Sequence, residues 1–260
     1  MAPQYKDIGV EQDGMVVTVE IRRPPNNFFD NALINEIADA FEACDRDPSV
    51  RAIVLAAQGK AFCAGADFSN RDLTATTSGA AGAKHLYKEA TRLFRAKTPI
   101  VAAVQGAAIG GGLGLACMAD FRVTCKEARF SANFTRLGFH PGFALTYTLP
   151  RLVGQQQANL LFYTGRRIPG DEAVRIGLAD LLVPLEEVRS AAQALALEIA
   201  QSAPLAVIAT RETMRRGFAD AAERATEREL VEQDWLRKTE DMKEGVKAYA
   251  ERRLPNFQGR

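Results

Sequence analysis

Two glycine-marked turns dominate the first half of the chain. They are Lys60-Ala61-Phe62-Cys63-Ala64-Gly65-Ala66-Asp67 and Gly106-Ala107-Ala108-Ile109-Gly110-Gly111-Gly112-Leu113-Gly114. Each follows a short apolar run rich in β-branched residues: Ala52-Ile53-Val54-Leu55 before the first, Pro99-Ile100-Val101-Ala102-Ala103-Val104 before the second. Such runs read as buried strands, and glycine at their ends lets bare backbone N–H groups face a ligand. Side by side, two turns of this kind make a paired-donor pocket for an oxygen that becomes negative during reaction.

The flanking sequence supplies the scaffold. Residues 15–21 read as a strand, stopped by the Pro- and Asn-rich loop 22–27. Residues 31–45 carry helical spacing (Leu33, Ile34, Ile37, Phe41), with Asp30 or Asn31 as N-cap. Residues 52–56 form the next strand. Residues 69–82 are rich in Ser, Thr, Gly and Ala without periodicity and read as a mobile loop, followed by a helix over 83–96. A strand over 99–105, a helix over 111–118 and short strands at 121–125 and 128–130 complete an α/β alternation. After Gly154 helices take over, at 155–164, 171–176, 185–202, 205–216, 221–238 and 242–253, with one strand at 178–183. We divide the chain into a core over 1–200 and a helical region over 201–260.

Composition bounds the function. Of 260 residues, 47% are apolar and 25% charged, enough for a real core, and a formal net charge of +1 offers no bulk attraction to nucleic acid or membrane. The four cysteines show no metal-ligand spacing and there are two histidines, so neither a metal site nor a disulfide framework is expected. The segment 1–13 is polar and acidic, unlike a signal peptide, and no apolar stretch reaches about 18 residues. A cytoplasmic protein with reduced thiols is the expectation.

Further motifs carry a resemblance. Beside the two glycine turns stand Ala119-Asp120-Phe121-Arg122-Val123, Leu137-Gly138-Phe139-His140-Pro141-Gly142 and Leu149-Pro150-Arg151-Leu152-Val153-Gly154. Thr164-Gly165-Arg166, Gly177-Leu178-Ala179, and the C-terminal Asp241-Met242-Lys243-Glu244-Gly245-Val246 with Glu251-Arg252-Arg253 follow in order. Together they resemble the crotonase (enoyl-CoA hydratase/isomerase) superfamily over nearly the whole length. The resemblance implies a spiral of ββα units followed by a C-terminal helical region that packs into a trimer or a dimer of trimers. It implies an acyl-CoA ligand whose coenzyme A belongs to the substrate, with no separate cofactor, and a place in fatty acid metabolism.

It also implies roles for residues. The oxyanion donors are the backbone N–H groups of Ala66 and Gly111; one such donor is typically worth about 3 kcal/mol of barrier. Gly111→Pro would delete its donor while suiting a helix start, and is expected to harm binding more than folding. Pro25, Asn26 and Phe28 in one loop, and Lys60, Ala64, Ala66, Asp67 and Phe68 in the first turn, line the path of the nucleotide and pantetheine. Gly110, Gly114 and Phe134 border the acyl group, Phe134, Leu137, Phe139, Phe143 and Leu145 give an apolar cavity, and Arg252 is the cation lent by a neighbouring subunit. The family's two proton-handling glutamates are missing: Gly114 and Phe134 stand in their places, and Gly142 and Phe143 occupy the positions used for alternative acids. General acid–base catalysis needs a titratable group within reach of the proton, so hydration is not expected. His140 is the remaining candidate for proton transfer, unless its ring bonds a neighbouring carbonyl. Asp67, Asp120 and His85 read as structural or solvated, and Cys63 has no base beside it. The sequence thus reads as an acyl-CoA enzyme that stabilises a thioester enolate. The alternatives are a non-catalytic carrier or sensor, and a decarboxylating or C–C-cleaving relative.

Overall fold

The computed structural model describes residues 5–66 and 86–260. Asp67, Phe68 and His85, and the loop expected at 69–82, lie outside the described residues.

The frame is a six-stranded sheet. Its strands are β1 (Ile8–Asp13), β2 (Val16–Ile21), β3 (Ala52–Ala57), β4 (Ile100–Val104), β6 (Phe121–Thr124) and β9 (Leu181–Leu182), in that spatial order. β1 and β2 form an antiparallel hairpin, and the remaining pairs are parallel, with Val17 opposite Ile53, Ile53 opposite Ile100 and Ala102 opposite Arg122. Every residue of β3 and β4 is buried. That is why these strands read as continuous apolar runs rather than alternating ones. A smaller sheet of β5 (Ala107–Ile109), β7 (Arg129–Ser131) and β8 (Arg167–Pro169) sits at the C-terminal ends of the central strands.

Helices cover the sheets. α1 (Asn31–Arg46) is capped by the Asp30 side chain, which accepts from the Leu33 N–H, and buries Leu33, Ile34, Ile37 and Phe41. α2 (Leu86–Ala90) runs into a 3-10 turn over Thr91–Arg95. α3 (Gly111–Met118) is buried throughout. α4 (Leu145–Val153), α5 (Gln155–Thr164) and α6 (Gly170–Arg175) follow. α7 (Val188–Gln201) lays a stripe of Val188, Ala192, Ala196 and Ala200 across the central sheet. α8 (Pro204–Met214), α9 (Phe218–Leu236) and α10 (Glu240–Ala250) complete the chain.

Five elements depart from the sequence reading. β1 is an edge strand with four exposed residues, so it carries no apolar alternation to be read. β5 lies inside the glycine turn, and β8 precedes a helix with only Ile168 buried. α4 contains Pro150 and starts without a local capping side chain. The strand expected at 178–183 contracts to two residues, because Leu178 is buried in a turn whose carbonyl accepts from Arg122 Nε at 2.7 Å.

Candidate active site

A backbone bridge brings the two glycine turns together. Cys63 and Ala108 pair as an isolated parallel bridge, with Cys63 N–H donating to Ala107 O at 2.8 Å and Ile109 N–H to Cys63 O at 3.0 Å. Beyond the bridge both chains swing through left-handed backbone, at Gly65 (φ +85°) and Gly110 (φ +57°). A Cβ on Gly65 would lie 2.8 Å from Ile109 O and 3.6 Å from Gly111 N, so only glycine lets the turns lie this close. Two further clips hold them: Ala64 N–H donates to Asn26 O at 2.9 Å and Phe29 N–H to Gly65 O at 3.0 Å, while Gly110 N–H donates to Ser131 O at 2.8 Å. Asn27, fully buried, anchors the Asn26 loop by donating from Nδ2 to Gln58 O and Ala61 O.

Among the described residues neither the Ala66 nor the Gly111 N–H donates to a protein acceptor. Gly111 is the first residue of α3, where the N–H has no intrahelical partner and the helix dipole favours negative charge. Both residues line one cavity of about 450 Å³, floored by the two turns and walled by Tyr87, Phe134, Leu137 and Phe139. Val246, Tyr249 and Ala250 of α10 also line it. Its side-chain polar groups among the described residues are those of Asn26, Tyr87, Asn133 and Tyr249; none is a carboxyl or an imidazole. Such a cavity can bind an apolar group and polarise a carbonyl, and among the described residues it offers no carboxylate or imidazole base to an incoming water.

The structure sorts the residues singled out in the sequence. Asn26, Phe28, Ala64, Ala66, Gly110, Gly111 and Phe134 line the cavity together. Gly114, Phe143 and Leu145 do not: all three are buried behind the wall, with Phe143 and Leu145 at 0% exposure. His140 lies elsewhere, bordering a separate cavity with Thr146, Gln155 and Asn159. Its Nδ1 sits 2.8 Å from Pro141 O, the neighbouring-carbonyl bond that competed with a catalytic role. Pro25, Lys60 and Arg252 are exposed and outside the cavity lining. The chain's own α10 lines the cavity, whereas Arg252 stands beyond that helix in left-handed backbone (φ +55°). Asp120 is structural: it accepts from Ile100 N–H at 2.8 Å and pairs with Arg211 and Arg215. Tyr87 and Tyr249 were not legible as site residues, since neither stands in a motif with chemistry of its own; Ile109 and Val246 lie within quoted motifs, but an apolar side chain there carries no chemical signal.

A sequence model of the family described as enoyl-CoA hydratase/isomerase matches residues 11–260. The chain belongs to the enoyl-CoA hydratase/isomerase family. It is 36% identical over 257 residues to a crotonyl-CoA hydratase of Syntrophomonas wolfei, covering 97% of this chain and 98% of that one. Its fold matches an enoyl-CoA hydratase/isomerase of Pseudoalteromonas atlantica T6c with a TM-score of 0.87 and 30% identity, over 97% of this chain and all (100%) of the other. A carnitinyl-CoA hydratase of Mycobacterium avium gives a TM-score of 0.86 at 33% identity, over 98% and 99% of the two chains. As a member of the enoyl-CoA hydratase/isomerase family, the protein carries a mixed α/β crotonase fold, and the family's acyl-CoA ligands set the class of molecule its cavity is to be tested against.

Proposed function

We propose that this protein binds an acyl-CoA with the thioester oxygen on the Ala66 and Gly111 N–H groups and stabilises the enolate formed there, without adding water. The observation that carries this reading is the pairing of two N–H donors that meet no acceptor among the described residues, in a cavity whose described lining has no carboxyl or imidazole. Donors fixed by the Cys63–Ala108 bridge need no reorganisation when charge develops on the oxygen. The nucleotide end would run past the Asn26 loop toward Lys60.

A decarboxylation fits the same site. In that reaction the C–C bond to a substrate carboxylate breaks, carbon dioxide leaves, and the electron pair passes to the thioester enolate, which then takes a proton from solvent. No side-chain base is needed. The apolar walls favour this reading, since they disfavour a carboxylate and favour its loss. A carrier that holds acyl-CoA without turnover is the remaining outcome of the same tests.

Crotonyl-CoA hydration should run orders of magnitude below the family's ordinary rate, because each missing acid–base group removes about 10²–10⁴-fold. Hydration at ordinary rates would refute the reading. Titration calorimetry with a non-reactive acyl-CoA thioether should show binding, and a parent protein that binds none at millimolar ligand leaves the pocket without a function. Mass spectrometry of acyl-CoA and malonyl-type thioesters after incubation separates turnover from carriage. We further propose a cytoplasmic homotrimer or dimer of trimers.

A further inference from the structure

Gly114 has a neighbour that decides more than the missing side chain does. It lies three residues after the Gly111 donor and so on the same face of α3. A Cβ built there would sit 2.7 Å from Phe143 Cβ and 2.8 Å from both Cγ and Cδ1. These are the root of the side chain and not its flexible end, so a rotamer change does not relieve the contact. Phe143 is itself held in place. It and Ala144 are consecutive non-glycine residues in left-handed backbone (φ +64° and +55°). The carboxylate of Glu229, on α9, accepts from Ala144 N–H at 2.8 Å, Thr146 N–H at 2.9 Å and Thr146 Oγ1 at 2.6 Å. The Phe143 ring meets Phe29, Tyr87 and Phe94 with centroids 5.7, 5.9 and 6.1 Å away. Tyr87 is the member of this cluster that faces the acyl cavity.

We propose that Phe143, latched by Glu229, is the residue that keeps the oxyanion pocket dry: it fills the space beside Gly114 into which a side chain on this face of α3 would grow, and it backs the Tyr87 wall against water. On this view the absence of hydration belongs to the Gly114–Phe143 pair, and placing an acid at Gly114 alone does not reverse it. The proposal rests on the acyl-CoA reading above and makes Phe143 a specificity-determining residue of that site.

A double-mutant cycle tests it. Gly114→Ala in the parent should lower Tm by at least about 2 °C, although alanine ordinarily stabilises a helix interior relative to glycine. In a Phe143→Gly background, which removes the Cβ and suits the left-handed backbone, the same substitution should cost little or nothing. Gly114→Glu alone should add no water to crotonyl-CoA, whereas Gly114→Glu/Phe143→Gly should hydrate it at least ~10²-fold faster than the parent, the lower end of a positioned acid–base group. Additive Tm shifts, or a double variant that binds the acyl-CoA thioether yet forms no hydroxyacyl product, overturn the proposal. If the glutamate double variant does not fold, Gly114→Ser/Phe143→Gly carries the same cycle, and additivity there overturns it equally. The outcomes separate cleanly from failure of the functional reading. A parent that binds no thioether sinks the acyl-CoA assignment, while the unfolding cycle still decides the packing.

Discussion

At Gly111 one position serves two purposes. The residue lines the cavity, and its missing side chain makes room for Phe29, whose Cζ would lie 2.2 Å from a Cβ there. Gly111→Pro was expected to weaken binding more than folding, because proline suits a helix start. The Phe29 contact changes that expectation: the substitution should lower Tm and acyl-CoA affinity together, which calorimetry and thermal unfolding on one sample will show. The cysteines give a second residue-scale prediction. Burial pushes the thiols of Cys44, Cys63 and Cys117 up to about 12 and raises that of Cys125. A thiol that stays protonated is a poor nucleophile, so the native protein should resist thiol reagents at pH 8 and react at all four sites only after unfolding. Rapid labelling of Cys63 in the native state would reopen its dismissal as a nucleophile.

Elements here are held by partners distant in sequence. α4 begins at an alanine with no capping side chain of its own, and Glu229 takes over the role from 85 residues away. Burial raises the Glu229 carboxyl to about 7, against the pull of the Thr146 and Ala144 donors, which favour the charged form. In the unfolded chain an ordinary glutamate titrates near ~4.3. The folded state therefore holds the extra proton between those values, so this group's contribution to stability is full below about 4.3 and is lost as pH rises through about 7. Denaturant unfolding across pH 4–8 should show that decline, and Glu229→Gln, which cannot titrate, should flatten it. The sheet end is clamped in a similar way. Asp120 receives Arg211 Nε at 2.9 Å and Arg215 Nη1 at 2.9 Å, with all three side chains at most 16% exposed. α8 buries no residue of its own, so this clamp is its main anchor. Asp120→Ala strands two largely buried guanidinium groups and should cost about 3–5 kcal/mol, read as a drop in the denaturant midpoint together with faster amide exchange along α8.

Over the whole molecule, several large apolar side chains stay exposed. Leu205 and Met214 on α8 are 81% and 75% exposed, and Tyr163 on α5 is 75% exposed. The homotrimer or dimer of trimers proposed above is tested by mass. Light scattering should return a mass that is a multiple of 28.3 kDa, with three or six copies the expected number. A stable monomer at micromolar concentration would falsify this assembly. Among the described residues no single helix is long and apolar enough to cross a membrane; α7 and α8 pass such a test only as a pair bent by 106°. The buried stripe of α7 lies on the central sheet, which accounts for its apolar composition.

What the sequence determined by itself is local. The apolar runs of β3 and β4, the amphipathic spacing and Asp30 cap of α1, and the glycines that open α3 each act within a few residues of where they stand, so their elements were legible before any tertiary structure was known. The two glycine turns at Ala66 and Gly111 were legible for the same reason, since glycine marks a turn where it stands. Tertiary structure alone decided that the turns touch, through the Cys63–Ala108 bridge; that α10 of the same chain lines the cavity; and that His140 belongs to a different one. It also decided the fate of Gly114, whose meaning rests on an aromatic ring 29 positions later and on a carboxylate on another helix. One signal did point there: Glu229 and Gln233 fall on the buried stripe of α9 with Ala222, Thr226 and Leu230. Polar side chains at core positions require partners, but only the folded chain can say which, because a contact between distant segments leaves no periodicity in either of them.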